Sequence, residues 1–75
     1  MNAITTIKNT GLALAIFNRQ DELIATATKI TQYESDAKRG EYRIAIVGGP
    51  AHGKIAYAQD FQDLNDKSVE IALLR

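Results

Sequence analysis

The chain has 75 residues and a formal net charge of zero, with 45% hydrophobic and 24% charged residues. These values fit one small globular domain, 1–75, and argue against a disordered chain, a membrane protein or a protein that coats nucleic acid by bulk charge. The chain has no cysteine, which excludes disulfides, thiolate nucleophiles and cysteine-based zinc sites.

The first two elements are predicted to be strands. Segment 4–8 reads ITTIK and segment 12–18 reads LALAIFN, and both have the period-two pattern of a half-buried strand. The turn-forming residues NTG separate them. We therefore expect the two segments to pair as a hairpin.

A long helix is predicted next, over about 19–39. Asn18 fits an N-cap and Gly40 fits the residue just past a helix C-terminus. Acidic residues fall in the first turn, basic residues fall in the last, and apolar residues recur at helical spacing. Threonines at 26, 28 and 31 lower the helix propensity, so a strand over 23–30 is the alternative. We favour the helix because the cap and charge signals agree with the period.

The second half of the chain returns to the pattern of strands. Segments 41–47 and 54–59 are predicted strands, joined by the loop GGPAHG. Segment 60–67 is a polar connection, with a helical turn as a further possibility, and 68–75 fits either a last strand or a short C-terminal helix. The predicted fold class is α+β, with one long helix packed on an antiparallel sheet of four or five strands in two layers.

The glycine-rich loop has the spacing of a phosphate-binding loop. Gly48 is followed by four residues and then by Gly53 and Lys54. However, Ile55 stands where such a loop needs a Ser or Thr to hold Mg²⁺, and the next residues resemble a strand rather than a helix. We therefore interpret 48–53 as a hairpin loop in which glycine permits positive φ angles and Pro50 stiffens a bend.

Segment 37–57 resembles the first half of a double-stranded-RNA-binding domain. That family has a helix, a strand opened by a tyrosine, a Gly-Pro-x-His loop and a strand with an aromatic residue. Tyr42 matches the opening tyrosine, 49–52 matches the loop, and Tyr57 lies one place from the later aromatic. The resemblance implies that His52 contacts the minor groove of an RNA duplex, with Lys54 and Arg43 near phosphates.

The rest of the chain departs from that family. In its second helix the family carries a lysine cluster, whereas here Lys67 stands alone between Asp66 and Glu70. More broadly, four basic residues and one acidic residue lie in 38–54, while four acidic residues and one basic residue lie in 60–70. A phosphate-contacting cluster normally supplies most of the affinity for a duplex, so RNA binding is the alternative function and not the first.

The remaining polar residues do not form a catalytic or metal-binding pattern. His52 is the only histidine, and no second imidazole or thiolate exists to complete a transition-metal site. The aspartates 60, 63 and 66 lack the ligand spacing of a calcium loop. Neither Ser35 nor Ser68 lies in a glycine-flanked turn of the kind that exposes a nucleophile. We therefore expect no enzymatic activity, no cofactor and no metal.

Two tyrosines are expected to lie opposite each other in the predicted hairpin of 41–47 and 54–59. Tyr42 and Tyr57 would then form a cross-strand pair that stabilises the sheet. The same pair could instead stack nucleic-acid bases or anchor a protein interface.

These observations predict a small non-enzymatic binding or regulatory protein that docks on a macromolecular partner. A protein partner is favoured, nucleic acid is the alternative, no membrane contact is expected, and a homodimer with an exposed edge at 69–74 is a further possibility. Small domains of this kind are often phage or mobile-element inhibitors of host machinery. A cytoplasmic location is expected because no apolar run could span a bilayer and the N-terminus lacks a signal-peptide pattern. The predicted partner-binding residues are Lys38, Arg39, Tyr42, Arg43, Pro50, His52, Lys54 and Tyr57.

Overall fold

The computed structural model describes residues 4–74 and has one helix packed on a five-stranded antiparallel sheet. The strands lie side by side in chain order. Their bounds are β1 (Thr6–Asn9), β2 (Leu14–Phe17), β3 (Leu23–Lys29), β4 (Tyr42–Ile46) and β5 (Ile55–Ala58). The helix, α1 (Phe61–Leu73), follows β5 directly. The predicted α+β class, with one helix on an antiparallel sheet in two layers, is confirmed.

The two faces of the sheet differ because successive side chains in a strand point to opposite sides. The face toward α1 carries the core, in which Ile16, Ile24 and Ile44 are fully buried together with Leu64 of the helix. Burying each of these side chains stabilises the fold by about 1.5–3 kcal/mol. The connection between β3 and β4 lies over one end of the other face, which is called the open face below.

The prediction of a long helix over 19–39 is wrong, and the one α-helix described lies at Phe61–Leu73 instead. Residues 23–29 form β3, the central strand of the sheet, and the strand alternative for 23–30 is confirmed. The run ATAT (25–28) alternates between the two faces, so that Ala25 and Ala27 are buried in the core while Thr26 and Thr28 line the open face. Its β-branched residues suit a pleated strand better than a helix.

The residues that predicted the start of this helix instead form the turn between β2 and β3. The side-chain carbonyl of Asn18 accepts hydrogen bonds from the backbone N–H groups of Gln20 and Glu22, at 3.0 and 2.9 Å. Asp21 has a φ of 63°, in the left-handed region. Asparagine and aspartate favour helix N-termini and tight turns for the same reason, since their short side chains bond nearby backbone N–H groups.

The residues that predicted the end of the helix lie in the long connection between β3 and β4. Only Ala37–Arg39 is helical there, as one turn of 3₁₀ helix. Gly40 follows because the chain passes against the end of β5, where a Cβ atom on this residue would lie 2.6 Å from the carbonyl oxygen of Ala58. The glycine therefore permits a close approach between two strands.

The C-terminal part of the chain is helical, as one of the two alternatives for 68–75 predicted, and the polar segment 60–67 forms the first half of this helix. Asp60 caps α1, since its carboxylate accepts the N–H of Asp63 at 2.7 Å. The alternative of a last strand is wrong, and with it the exposed strand edge expected at 69–74. Within residues 4–74 no helix is long and apolar enough to cross a membrane.

Candidate docking surface

The glycine-rich loop is a hairpin loop, as predicted, and it joins β4 to β5. Gly48, Gly49 and Gly53 have φ angles of 73°, 73° and 88°. The backbone N–H of Gly48 donates to Nδ1 of His52 at 2.7 Å, so the histidine braces the loop from within. A strand follows Lys54 where a phosphate-binding loop requires a helix, so the loop lacks the geometry that surrounds a phosphate group.

The predicted partner-binding residues fall into separate groups. Lys38 and Arg39 lie beside the start of β4, whereas Pro50, His52 and Lys54 lie at the far end of the hairpin. The five residues of β4 separate the two groups by about 16 Å. The sequence predicted one basic surface, but the structure does not bring these residues together.

The segment that resembles a double-stranded-RNA-binding domain keeps part of the expected order. Segment 42–58 is a strand, a loop and a strand, as the resemblance implies. In place of the family's preceding helix there is the three-residue turn Ala37–Arg39.

The two tyrosines do not lie opposite each other. Tyr42 pairs with Ala58, and Tyr57 pairs with Arg43. The predicted cross-strand pair is therefore wrong, because a shift of one residue places two side chains on opposite faces of a sheet. Tyr42 packs against the core on the helix side, and Tyr57 lies on the open face.

An ion-paired cluster occupies one end of the open face, where the connection between β3 and β4 folds back over the sheet. The Arg43 guanidinium contacts Asp36 through Nη1 and Glu34 through Nη2, both at 3.0 Å. The hydroxyl of Tyr57 donates to Oδ2 of Asp36 at 3.1 Å. The cluster fastens the connection to β4 and β5 and leaves the Arg43 charge matched by two carboxylates.

The charges in this cluster hold one another in their ionised forms. A backbone hydrogen bond from Thr31, followed by the hydrogen bond from Arg43, lowers the pKa of Glu34. Partial burial alone would raise the pKa of Asp36, but hydrogen bonds from Arg43 and Tyr57 outweigh it, and the pKa is lowered. The pKa of Arg43 is raised by its hydrogen bonds to Asp36 and Glu34.

Two further cations on the open face lie over aromatic rings. The Lys8 ammonium is 5.2 Å from the centre of the Phe17 ring, and the Arg39 guanidinium is 5.6 Å from the centre of the Tyr57 ring. Such contacts stabilise a cation modestly at an exposed site, by about 0.5–1 kcal/mol. They spread the hydrocarbon stems of both side chains over the sheet.

Between these two ends small side chains form the centre of the open face, which is called the trough below. One row of paired residues crosses all five strands: Lys8, Ala15, Thr26, Ala45 and Ile55. The three central side chains are small, so an approaching surface can come close to the sheet. Ile55 at the edge is 50% exposed. The sequence did not reveal this surface because 19–39 was predicted to be a helix, although the alternation in ATAT (25–28) was a signal for it.

An apolar groove lies on the helix side of the sheet, between the glycine-rich loop and the end of α1. It has a volume of about 210 Å³ and is bordered by Pro50, Lys54, Ile71 and Leu74, among others. Leu74 is 69% exposed. The groove is adjacent to the start of β5 and is distinct from the trough on the open face.

The described residues hold no cluster of three or more His, Asp or Glu side chains that could bind a metal ion. Comparisons of the chain with protein-family models, with curated proteins and with solved structures gave no match. The assignment of function therefore depends on the geometry and charge of the surfaces described above.

Proposed function

We propose that this protein is a non-enzymatic binding module that docks on another protein through the open face of its sheet. The observation that carries the proposal is the trough of small side chains across the middle of this face, where Thr26 and Ala45 are partly exposed and Ala15 between its neighbours is nearly buried. An antiparallel sheet commonly leaves one face to solvent, but such a face is then lined by polar residues. Here the row carries two alanines, one on each side of Thr26, at its centre.

The charge distribution on this face favours a protein over a nucleic acid. Arg43 is neutralised by Asp36 and Glu34, and Lys8 and Arg39 lie over aromatic rings at opposite ends of the face. A surface that binds a phosphate backbone needs several unpaired cations along one track. A protein partner instead rewards a flat apolar centre with aromatic and arginine residues around it.

The partner that fits this surface presents an apolar strand or helix face with few charges at its centre. Small side chains in the trough permit close packing, and Phe17 and Tyr57 border it on either side. Small phage or mobile-element inhibitors of host machinery act by covering a surface of a larger protein. We extend the proposal to this class, which suits a binding module of this size.

Site-specific photo-cross-linking tests the proposal. A photoreactive residue replaces Thr26 in the trough, and in a matched control it replaces Gln62, which is exposed on α1. We expect a protein adduct from position 26 in extract of the native host, no adduct from position 62, and loss of the adduct when excess unlabelled protein competes. The unlabelled variant Thr26→Lys should fail to compete while keeping the wild-type circular dichroism spectrum. Equal adducts from both positions would contradict the proposal.

The alternative function, binding of duplex RNA by segment 38–54, is supported by the exposure of Pro50, His52 and Lys54 in the loop. A titration with short RNA and DNA duplexes at two salt concentrations separates the alternatives. Saturable, salt-dependent binding that prefers RNA and weakens in His52→Ala and Lys54→Ala would replace the docking proposal. Absence of binding at low salt would remove the alternative.

A further inference from the structure

One edge of the sheet lacks the features that usually prevent strands from pairing with other chains. β5 is the last strand of the sheet and reads IAYA, with no charge and no proline. The other edge strand, β1, carries Lys8 near its middle. Natural sheets protect their edges with lysine, proline, bulges or a covering element, and an unprotected apolar edge is a template for another strand.

The hydrogen-bond pattern identifies which groups of β5 face outward. At the end of β4, Ile46 donates to the carbonyl of Lys54, whereas Val47, the next residue, donates to Ile24 on the other side. Even-numbered residues of β4 therefore bond the β5 side, and through the register of the pair, Ala56 and Ala58 of β5 and the preceding Lys54 bond β4. The backbone N–H and C=O groups of Ile55 and Tyr57 point away from the sheet.

We propose that two copies of this chain pair antiparallel through their β5 strands, forming one continuous ten-stranded sheet about a twofold axis. The axis is perpendicular to the sheet and places both α1 helices on the same side. Such an interface is self-complementary, so each contact occurs twice. In this arrangement opposed residues must share a face, which restricts the register to a few alternatives.

Charge selects one register among these. When Tyr57 lies on the twofold axis, Lys54 of each copy is opposite Asp60 of the other. The backbone of Asp60 itself is extended, with φ −155° and ψ −175°, but the chain bends at Gln59 and Asp60 to enter α1, so Asp60 takes part through its side chain. Among residues 4–74 Lys54 forms no ion pair. The Oδ1 atom of Asp60 caps α1, which leaves Oδ2 for the lysine of the second copy.

In this register the outward-facing N–H and C=O groups of Tyr57 bond those of Tyr57 in the other copy. The N–H of Gln59 already donates to Oδ2 of Asp63 at 2.9 Å, so opposite Ile55 only the carbonyl of Gln59 remains, as an acceptor. In the next register in which opposed residues share a face, Ala56 lies on the axis. Lys54 is then opposite Ala58, and both ion pairs are lost. The acidic segment after β5 thus complements the basic residue before it.

The interface is small, so we expect an equilibrium between monomer and dimer. Pairing involves about seven residues of each chain, 54–60, which is well below the roughly 20–30 residues per partner of a stable interface. The open face stays exposed in both copies. A protein that does not dimerise could therefore still dock through its open face. Likewise, a protein that does not dock could still dimerise through β5.

Sedimentation equilibrium over a concentration series tests the association. We expect the wild-type protein to dimerise with rising concentration, and Lys54→Glu to weaken the dimer by at least about tenfold, since it places like charges opposite each other twice. Ile55→Pro should also abolish the dimer, because proline removes an outward-facing N–H and no bond to β4. Asp60→Asn should weaken the dimer without disturbing the helix, because asparagine caps as well as aspartate but carries no charge to pair with Lys54.

A single engineered cysteine tests the register, since the chain has no cysteine of its own. In Tyr57→Cys the two Cα atoms would lie about 5.5 Å apart across the axis, within reach of a disulfide. In the control Ile55→Cys they would be about 13 Å apart along the strands. We expect a cross-linked dimer from the first and none from the second under mild oxidation. A wild-type protein that stays monomeric, or a dimer that neither Lys54→Glu nor Ile55→Pro weakens, would overturn the proposal.

Discussion

Gly40 shows how one missing side chain controls the contact between two strands. In Gly40→Ala the new Cβ atom would lie 2.6 Å from the carbonyl oxygen of Ala58, which is backbone and cannot rotate away. We expect a loss of about 1–3 kcal/mol in the free energy of unfolding, the usual cost of overpacking. Urea denaturation measures it. An unchanged free energy of unfolding in Gly40→Ala would contradict this interpretation.

Asp36 makes the stability of the protein depend on pH in a defined direction. Its pKa is lowered in the folded state, so its contribution is complete above the ordinary pKa of an unfolded carboxyl, about 4, and is lost as the pH falls below that value. We therefore expect Asp36→Asn to destabilise the protein at pH 7, and the difference from wild type to shrink between pH 5 and pH 3. Chemical denaturation at several pH values measures this difference, and a constant difference would contradict the prediction.

The helix α1 packs on the sheet through one narrow face, so substitutions at its buried positions should differ sharply in their effect on the free energy of unfolding. Leu64 is fully buried in the core, and Leu64→Ala should cost about 2–5 kcal/mol. Ser68 is equally buried, but its hydroxyl bonds only the Leu64 carbonyl of its own helix, at 2.7 Å. Ser68→Ala should change stability by less than about 1 kcal/mol, because alanine favours helix and leaves no partner unsatisfied. Thermal unfolding of both variants checks this contrast, and a large loss from Ser68→Ala would contradict it.

At the scale of elements, the sequence predicted those features that depend on local pattern. The strands β1, β2, β4 and β5 and the two hairpins that they form lie where the period-two segments and turn residues indicated. The third strand was given only as the alternative to a helix, because Asn18 and Gly40 are equally typical of helix ends and of turns. The choice between helix and strand for 23–29 depends on the strands that pair with this segment on both sides. These strands are not its neighbours in the sequence pattern.

The contacts of the open face depend on the path of the whole chain. Arg43 meets Asp36 and Glu34 because the connection between β3 and β4 folds back over the sheet. The spacing of these residues in the sequence gave no signal for that path. The row from Lys8 to Ile55 likewise requires the register of all five strands. The composition could predict a small α+β domain, but a surface assembled from every strand could be identified only from the fold.

Amide hydrogen exchange measures the protection of the central strands and of the unprotected edge β5 in one experiment. Between β3 and β4, the N–H groups of Ile30 and Val47 donate at 2.8 Å to the carbonyls of Glu41 and Ile24, and they should exchange slowly because only opening of the central sheet exposes them. The N–H groups of Ile55 and Tyr57 point outward and should exchange fast in dilute protein.

If β5 pairs with a second copy, the amides of Ile55 and Tyr57 should become protected as the concentration rises, while exchange at Val47 stays unchanged. In Lys54→Glu, the matched variant, these two amides should exchange fast at every concentration. Slow exchange at Ile55 and Tyr57 in dilute monomer would show that another part of the chain covers the edge, and would contradict the outward orientation derived from the register. NMR-detected exchange resolves each of these amides separately.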